Sequence, residues 1–223
     1  MGKPGPKPGT HLRRIISTKW SSELAYAIGL LATDGCLFPR GHLIDLSSID
    51  RQQLENFRKC LKAEFNIGYK DSKVKRCMRI QFKSVQFYTF LESVGLTPAK
   101  SKTMGIIKVP AKYFWDFLRG AYDGDGSSYA YWDKRWRSSY MFYTEFISAS
   151  PTHIQWLRDE IYRRLGIRGH VTGTKKQSLQ QLKYAKSDSL KLLRKMYYSR
   201  DIVCLSRKRL KLDKILDTVG EKL

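Results

Sequence analysis

Two Asp-Gly pairs, Asp34-Gly35 and Asp125-Gly126, stand out because each closes a stretch with helical spacing. Ser21 to Thr33 puts Leu24, Ile28 and Leu31 on one stripe behind serine caps, and Tyr113 to Asp123 places Phe114, Phe117, Leu118 and Tyr122 in the same way. Each stretch carries a second glycine six residues before its last one, Gly29 and Gly120. A glycine inside a helix costs about 1 kcal/mol against alanine, so something must offset that cost twice. Close approach of two helix backbones does so. With Gly29 facing Gly120 the helix ends lie side by side, and Asp34 and Asp125, 91 residues apart (125 − 34), meet across a pseudo-twofold axis. Carboxylates that close repel and cannot both stay ionised without a cation, so the chemistry on offer is that of a divalent ion. A lone Asp-Gly pair is usually a turn or a helix stop; the doubling of the whole helix-plus-acid unit points further.

The elements that must position these acids are also doubled. Leu43 to Ser48 alternates as a strand and Asp50 to Phe65 is amphipathic, with Leu54, Phe57 and Leu61 on one face. In the second half Tyr140 to Ser148 is a strand and Pro151 to Leu165 a helix with Ile154, Leu157 and Ile161. Met78 to Lys83 matches Gln180 to Lys186 as a further strand, followed by helices over Ser84 to Val94 and Asp188 to Tyr197. Basic clusters, Ser101-Lys102 and Ser206-Arg207-Lys208-Arg209, close the halves. The expected fold is α+β: two pseudo-twofold-related αββαββα units with antiparallel hairpins and the motif helices paired at the centre. The expected divisions are a basic flexible arm at 1–16, a first half at 17–109 and a second at 110–223.

Charge narrows the partner. Lys and Arg total 42 against 20 Asp and Glu, a net of +22 in 223 residues. A field that strong attracts polyanions, either nucleic acid or an anionic membrane. No apolar run approaches the roughly 18 residues of a membrane span. The N-terminus lacks the apolar core of a signal peptide, and a myristoylation signal fails at Pro6. Nucleic acid is therefore the expected partner, with no membrane and a cytoplasmic or organellar matrix location rather than secretion. Cys36, Cys60, Cys77 and Cys204, like His11, His42, His153 and His170, lack zinc-site spacing. The Pro-, Gly- and Lys-rich arm cannot bury a core and reads either as a DNA-embracing tail or as a solvated leader.

The segments A-I-G-L-L-A-T-D-G (27–35) and F-L-R-G-A-Y-D-G-D-G-S (117–127) resemble the motif of the LAGLIDADG homing endonucleases. The second is a near-consensus copy; the first departs at Ala32, where the name-giving pattern has an acid. The resemblance runs from Trp20 to Leu216 and includes L-I-D-L-S-S-I-D (43–50), V-G-L-T-P-A-K-S-K-T (94–103) and L-S-R-K-R (205–209). Two motif copies in one chain resemble the monomeric, double-motif branch. The resemblance implies a saddle of β-ribbons straddling double-stranded DNA, and site-specific hydrolysis of both strands across the minor groove that depends on Mg²⁺ or another divalent cation such as Mn²⁺ or Ca²⁺. It makes Asp34 and Asp125 the catalytic metal ligands, with the carbonyls of Thr33 and Gly124 as further ligands. Metals so held would activate water and stabilise the leaving oxygen at each scissile phosphate. Strand side chains also serve such sites. Aligning Ile80 and Phe82 with Leu182 and Tyr184 equates Gln81 with Lys183, the expected water-ordering or charge-offsetting pair. At the end of the earlier strand, where some relatives carry Gln or Lys, this chain is expected to hold Ser48 and Ala149, which leaves that role unassigned.

Alternation turns Asp45 and Ser47 away from Ile44 and Leu46, toward DNA. Further expected contacts are Arg40, Lys70, Lys73, Lys75, Arg76, Arg79 and Lys83 in the first half, Tyr129, Tyr131, Lys134, Arg135, Arg137, Lys175, Lys176 and Gln177 in the second, and Lys102, Arg207 and Arg209 in the closing clusters. Arginine binds guanine bidentately and lysine more often holds phosphate. Ribbons reading groove segments about one turn apart would cover about 20 base pairs, asymmetrically because the halves differ. Two readings compete: an RNA maturase on the same fold, with intron RNA as partner, and a nuclease-inactive DNA-binding protein. Retention of both acids weighs against the second.

Overall fold

The computed structural model describes residues 16–70, 77–136, 138–174 and 177–223. The first half opens with α1 (Ser22–Asp34), capped by the Ser21 hydroxyl, which accepts from the Leu24 amide. The hairpin β1 (Gly35–Phe38) and β2 (Leu43–Ser48) follows, then α2 (Arg51–Leu61), capped by Asp50. Next come β3 (Ile67–Lys70), β4 (Cys77–Lys83) and α3 (Val85–Ser93). The second half repeats the order: α4 (Phe114–Asp125), β5 (Ser127–Trp132), β6 (Tyr140–Ser148), α5 (Pro151–Leu165), β7 (His170–Thr174), β8 (Gln177–Ala185) and α6 (Lys186–Met196). A further helix, α7 (Ser206–Asp217), ends it; the first half has only a single 3-10 turn, Lys100–Lys102, at its close.

Both halves are αββαββα units as expected, and their four-stranded antiparallel sheets share one order, β1-β2-β4-β3 and β5-β6-β8-β7. Alternation gives each sheet one apolar face. Ile44, Leu46 and Ile80 in the first, and Phe142, Phe146 and Leu182 in the second, are buried beneath the helices. Burial of side chains this size is worth about 1.5–3 kcal/mol each, and it fixes the register, because a one-residue slip would turn them to water. That register sets Asp45 opposite Gln81 and Glu145 opposite Lys183 on the other face.

The helix α1 lies along α4. A methyl group on Gly29 would come under 3.0 Å from the Phe117 carbonyl and the Ala121 amide, and one on Gly120 would run into the Tyr26 carbonyl. The expected glycine-to-glycine contact is thus present: only residues without a Cβ allow the two backbones this close. The Tyr26 hydroxyl crosses between the helices to donate to Asp123 Oδ2 at 2.7 Å. Arg119, buried on α4, donates to the carbonyls of Met196 and Val203 and pairs with Asp116, tying α4 to the segment before α7.

Several boundaries differ from expectation. Both motif helices run through the acid itself, so Asp34 and Asp125 are last-turn residues. The helix α2 stops at Leu61 rather than Phe65, because Lys62 adopts a left-handed φ of 50° and closes it; Phe65 instead stacks on Phe82, 4.1 Å between centroids. The strand β8 gives way to α6 at Lys186. Residues 1–15 of the expected arm lie outside the described residues, and Ile16, its last residue, is buried in the core. Among the described residues no helix is long and apolar enough to cross a membrane.

Candidate active site at the ends of the motif helices

The close packing of α1 on α4 carries their C-terminal ends to one place. Gly124 sits against Thr33 and Asp34, so closely that a Cβ there would lie 2.9 Å from Asp34 Oδ2. Asp34 therefore reaches the backbone just before Asp125. Burial raises the pKa of both carboxyls, and the Asp34 charge raises that of Asp125 further. A pair of anions held together at two helix C-termini, themselves negative dipole ends, needs positive charge from elsewhere.

Part of that charge comes from two lysines outside the expected site. Lys100 Nζ donates to the Gly35 carbonyl at 2.6 Å. Lys208 Nζ donates to the Gly126 carbonyl at 2.7 Å, to Gly124 at 3.2 Å and to Tyr122. Gly35 and Gly126 each directly follow a motif acid, so the two lysines are counterparts. They are 6% and 9% exposed, and both offset the burial of Asp34 and Asp125. Burial lowers the Lys208 pKa to about 8, which keeps the ammonium charged at neutral pH, and lowers that of Lys100 as well.

The two acids are held differently. Gln53 Nε2 donates to Asp34 Oδ2 at 2.5 Å, while Gln53 Oε1 accepts from Ser48 at 2.8 Å. His153 holds the matching place, third in α5 as Gln53 is third in α2. It turns away: Nδ1 lies 2.9 Å from the Gly105 carbonyl, and burial lowers its pKa to about 4, leaving it neutral. Among the described residues no hydrogen bond reaches the Asp125 carboxylate, which instead borders a cavity of about 330 Å³ with Thr33, Lys100, Ser148 and His153.

The strand residues form two matching rows. In the first sheet Asp45 is 4% exposed and accepts from Ser47 at 2.8 Å and Gln81 at 3.0 Å, with Arg79 3.4 Å away. In the second, Glu145 accepts from Ser127 at 2.7 Å and pairs with Lys183 at 3.6 Å. Gln81 and Lys183 thus hold equivalent places, each against a strand carboxylate. The ladder corrects the expectation for the preceding strand end. Ser48 pairs with Met78 and Ser148 with Gln180, so Ser148, not Ala149, is the counterpart of Ser48 in the second half. Sequence alone carries no register there, which is why the expected position is one residue off.

Of the expected DNA contacts, Arg40 is exposed in the β1–β2 turn, Lys70 and Lys83 are exposed at strand ends, and Lys134 and Arg135 are exposed between β5 and β6. Tyr129 and Tyr131 lie on β5, and Gln177 opens β8. Lys102 is exposed in the 3-10 turn. Arg207 donates to Asp50 at 2.6 Å, and Arg209 to Asp213 at 3.1 Å. Lys73, Lys75, Arg76, Arg137, Lys175 and Lys176 lie outside the described residues. Gln53, Lys100, Lys208 and Glu145 were missed by sequence reasoning. The two lysines sit inside L-T-P-A-K-S-K and L-S-R-K-R, and the signal was their matching place after each half's last repeated helix.

No protein-family model and no curated protein sequence matches the chain. Solved structures do. The I-LtrWI LAGLIDADG homing endonuclease bound to target DNA superimposes with a TM-score of 0.60 at 13% identity, over 89% of this chain and 91% of that one. The homing endonuclease I-WcaI bound to its DNA recognition sequence gives 0.60 at 12% identity, over 93% and 95%. Full-length DUF199/WhiA from Thermatoga maritima gives 0.55 at 15% identity and covers 93% of this chain, which spans 64% of that protein's length. At such identities the likeness is one of fold. The chain has the α+β LAGLIDADG fold, with paired motif helices between two antiparallel sheets.

Proposed function

We propose that this protein is a site-specific homing endonuclease that acts as a monomer and makes a double-strand break in an asymmetric DNA target of about 20 base pairs, the span of two ribbons about one turn apart. The observation that carries this reading is the convergence of Asp34 and Asp125 at helix ends that Gly29 and Gly120 bring together, beside two buried ammonium groups. Nothing structural requires two carboxylates there, since their burial and mutual repulsion destabilise the fold.

The donor set fits Mg²⁺, which takes hard oxygen ligands and keeps several waters. Asp34 and Asp125 would hold it, with the Thr33 carbonyl as a further ligand; the Gly124 carbonyl already accepts from Lys208. Bound there, the ion supplies Lewis-acid polarisation of the phosphate and a water of lowered pKa. Gln53 orients Asp34, and Lys100 and Lys208 keep the helix ends from repelling an approaching phosphate. Lys183 and Gln81 would exchange their strand carboxylates for phosphate or water as DNA docks. Exposed basic residues such as Arg40, Lys70, Lys83, Lys102 and Lys134 would hold the backbone.

The test is a plasmid set carrying candidate intron-insertion sequences, incubated with and without Mg²⁺. Metal-dependent linearisation is expected, lost by at least 100-fold in Asp34→Asn and Asp125→Asn while duplex binding persists. If both variants cut normally, the site assignment fails. A second reading is a DNA-binding protein without nuclease activity; duplex binding with no cutting by the unaltered chain would select it. Tight binding of intron RNA alone would select a maturase.

A further inference from the structure

The face of the second sheet turned away from the core is chemically unlike its counterpart. Tyr129 and Tyr143 are register partners on that face, with ring centroids 5.3 Å apart and planes 22° apart. Tyr131 extends the stack, 6.5 Å and 7° from Tyr129, 6.2 Å and 16° from Tyr143. Tyr131 is 47% exposed, and Lys183 Nζ lies 5.9 Å from the Tyr129 ring centre, at the ladder's inner end. The same face of the first sheet carries Asp45, Ser47, Arg79 and Gln81, joined by hydrogen bonds to Asp45 from Ser47 and Gln81 and by an Arg79–Asp45 ion pair.

Rings stacked side by side across a sheet stand on it rather than lie flat. Their faces are partly turned to one another, which leaves less platform for an unpaired base to stack on. Their outer edges and hydroxyls meet whatever docks. Along a duplex major groove the C5-methyl of thymine is the apolar group that base edges present. We propose that Tyr129, Tyr131 and Tyr143 form a ladder that reads thymine methyl groups in one half of the target, while the first sheet reads the other half by hydrogen bonds. The inference rests on the DNA-reading function proposed above and adds a base class to it. It also sets DNA apart from RNA, whose uracil lacks the methyl and whose major groove is too deep and narrow for side chains.

The test uses the full chain and a library of randomised duplexes, selected by binding in Ca²⁺ so that cleavage plays no part. Deoxyuridine then replaces thymidine in one half of the enriched duplex at a time, which removes the methyl and leaves the pairing edges intact. Affinity is expected to fall in one half only, about fourfold per methyl lost, the equivalent of about 0.8 kcal/mol per buried carbon. Tyr131→Ala should bind the thymidine and deoxyuridine duplexes equally, and Tyr131→Phe, which keeps the ring edge, should still discriminate. An enriched sequence indifferent to deoxyuridine overturns the ladder reading and leaves DNA reading intact. So does discrimination that survives Tyr131→Ala, or that disappears in Tyr131→Phe, which would assign the reading to the hydroxyl. Failure to enrich any sequence overturns both.

Discussion

Asp123 shows how one residue of the motif serves structure while its neighbour but one serves the site. It is 0% exposed; its Oδ2 accepts from Tyr26 and from the Leu205 amide at 2.8 Å, and its Oδ1 has no partner among the described residues. Burial pushes its pKa up to about 6, against about 3.9 in an unfolded chain. The folded state therefore binds the proton more tightly. Its contribution to stability is greatest below pH 4, falls as pH rises from 4 to 6, and is constant above. Asp123→Asn keeps an oxygen at the Oδ2 position and removes the charge. Relative to the unaltered chain, its urea midpoint should rise on going from pH 4 to pH 7, with a difference of up to about 3 kcal/mol for two pKa units; equal pH profiles would refute the burial argument. At this scale Asp34 and Asp125 were legible because they repeat after a glycine-marked helix. Gln53, Lys100 and Lys208 were not, since an amide at a helix start and a lysine in a basic run look solvated until tertiary structure buries them.

The motif helices carry the consequence at the scale of elements. Gly120 faces the Tyr26 carbonyl and Gly29, so Gly120→Ala must push α1 from α4. Overpacking of this kind costs about 1–3 kcal/mol, and here it should also part the two acids. The expected outcome is a lowered Tm together with a fall in cleavage larger than the lost stability accounts for; a variant equally stable and active would show that the helices have room to spare. The pairing of these helices was readable because glycine in a helix has a cost that only packing offsets. Element types and antiparallel hairpins were readable from alternation and its recurrence; the strand order within each sheet was not. The end of α2 was not, because Lys62 takes a backbone conformation that its residue type does not announce. The off-by-one at Ser148 arose in the same way: alternation tells which face a residue occupies, but only the ladder tells its partner.

For the whole molecule, duplication of backbone hides a difference in chemistry. The two halves share element order and sheet order; the shared element order was legible as a repeat. What the repeat concealed is that Asp34 is braced by Gln53 and Ser48, whereas Asp125 faces a cavity beside a neutral His153. A duplex held across two such unequal blades would have its strands opened one after the other, with a single-strand interruption living in between. On supercoiled plasmid bearing the target, open circles should accumulate before linear product, and Gln53→Ala should change how long they last; strands severed in a single kinetic step would mean the blades are matched after all. Were the proposed cleavage to run this way, it would pass through a half-finished state at which it could be made to stop, and one side chain would turn a cutter into a nickase.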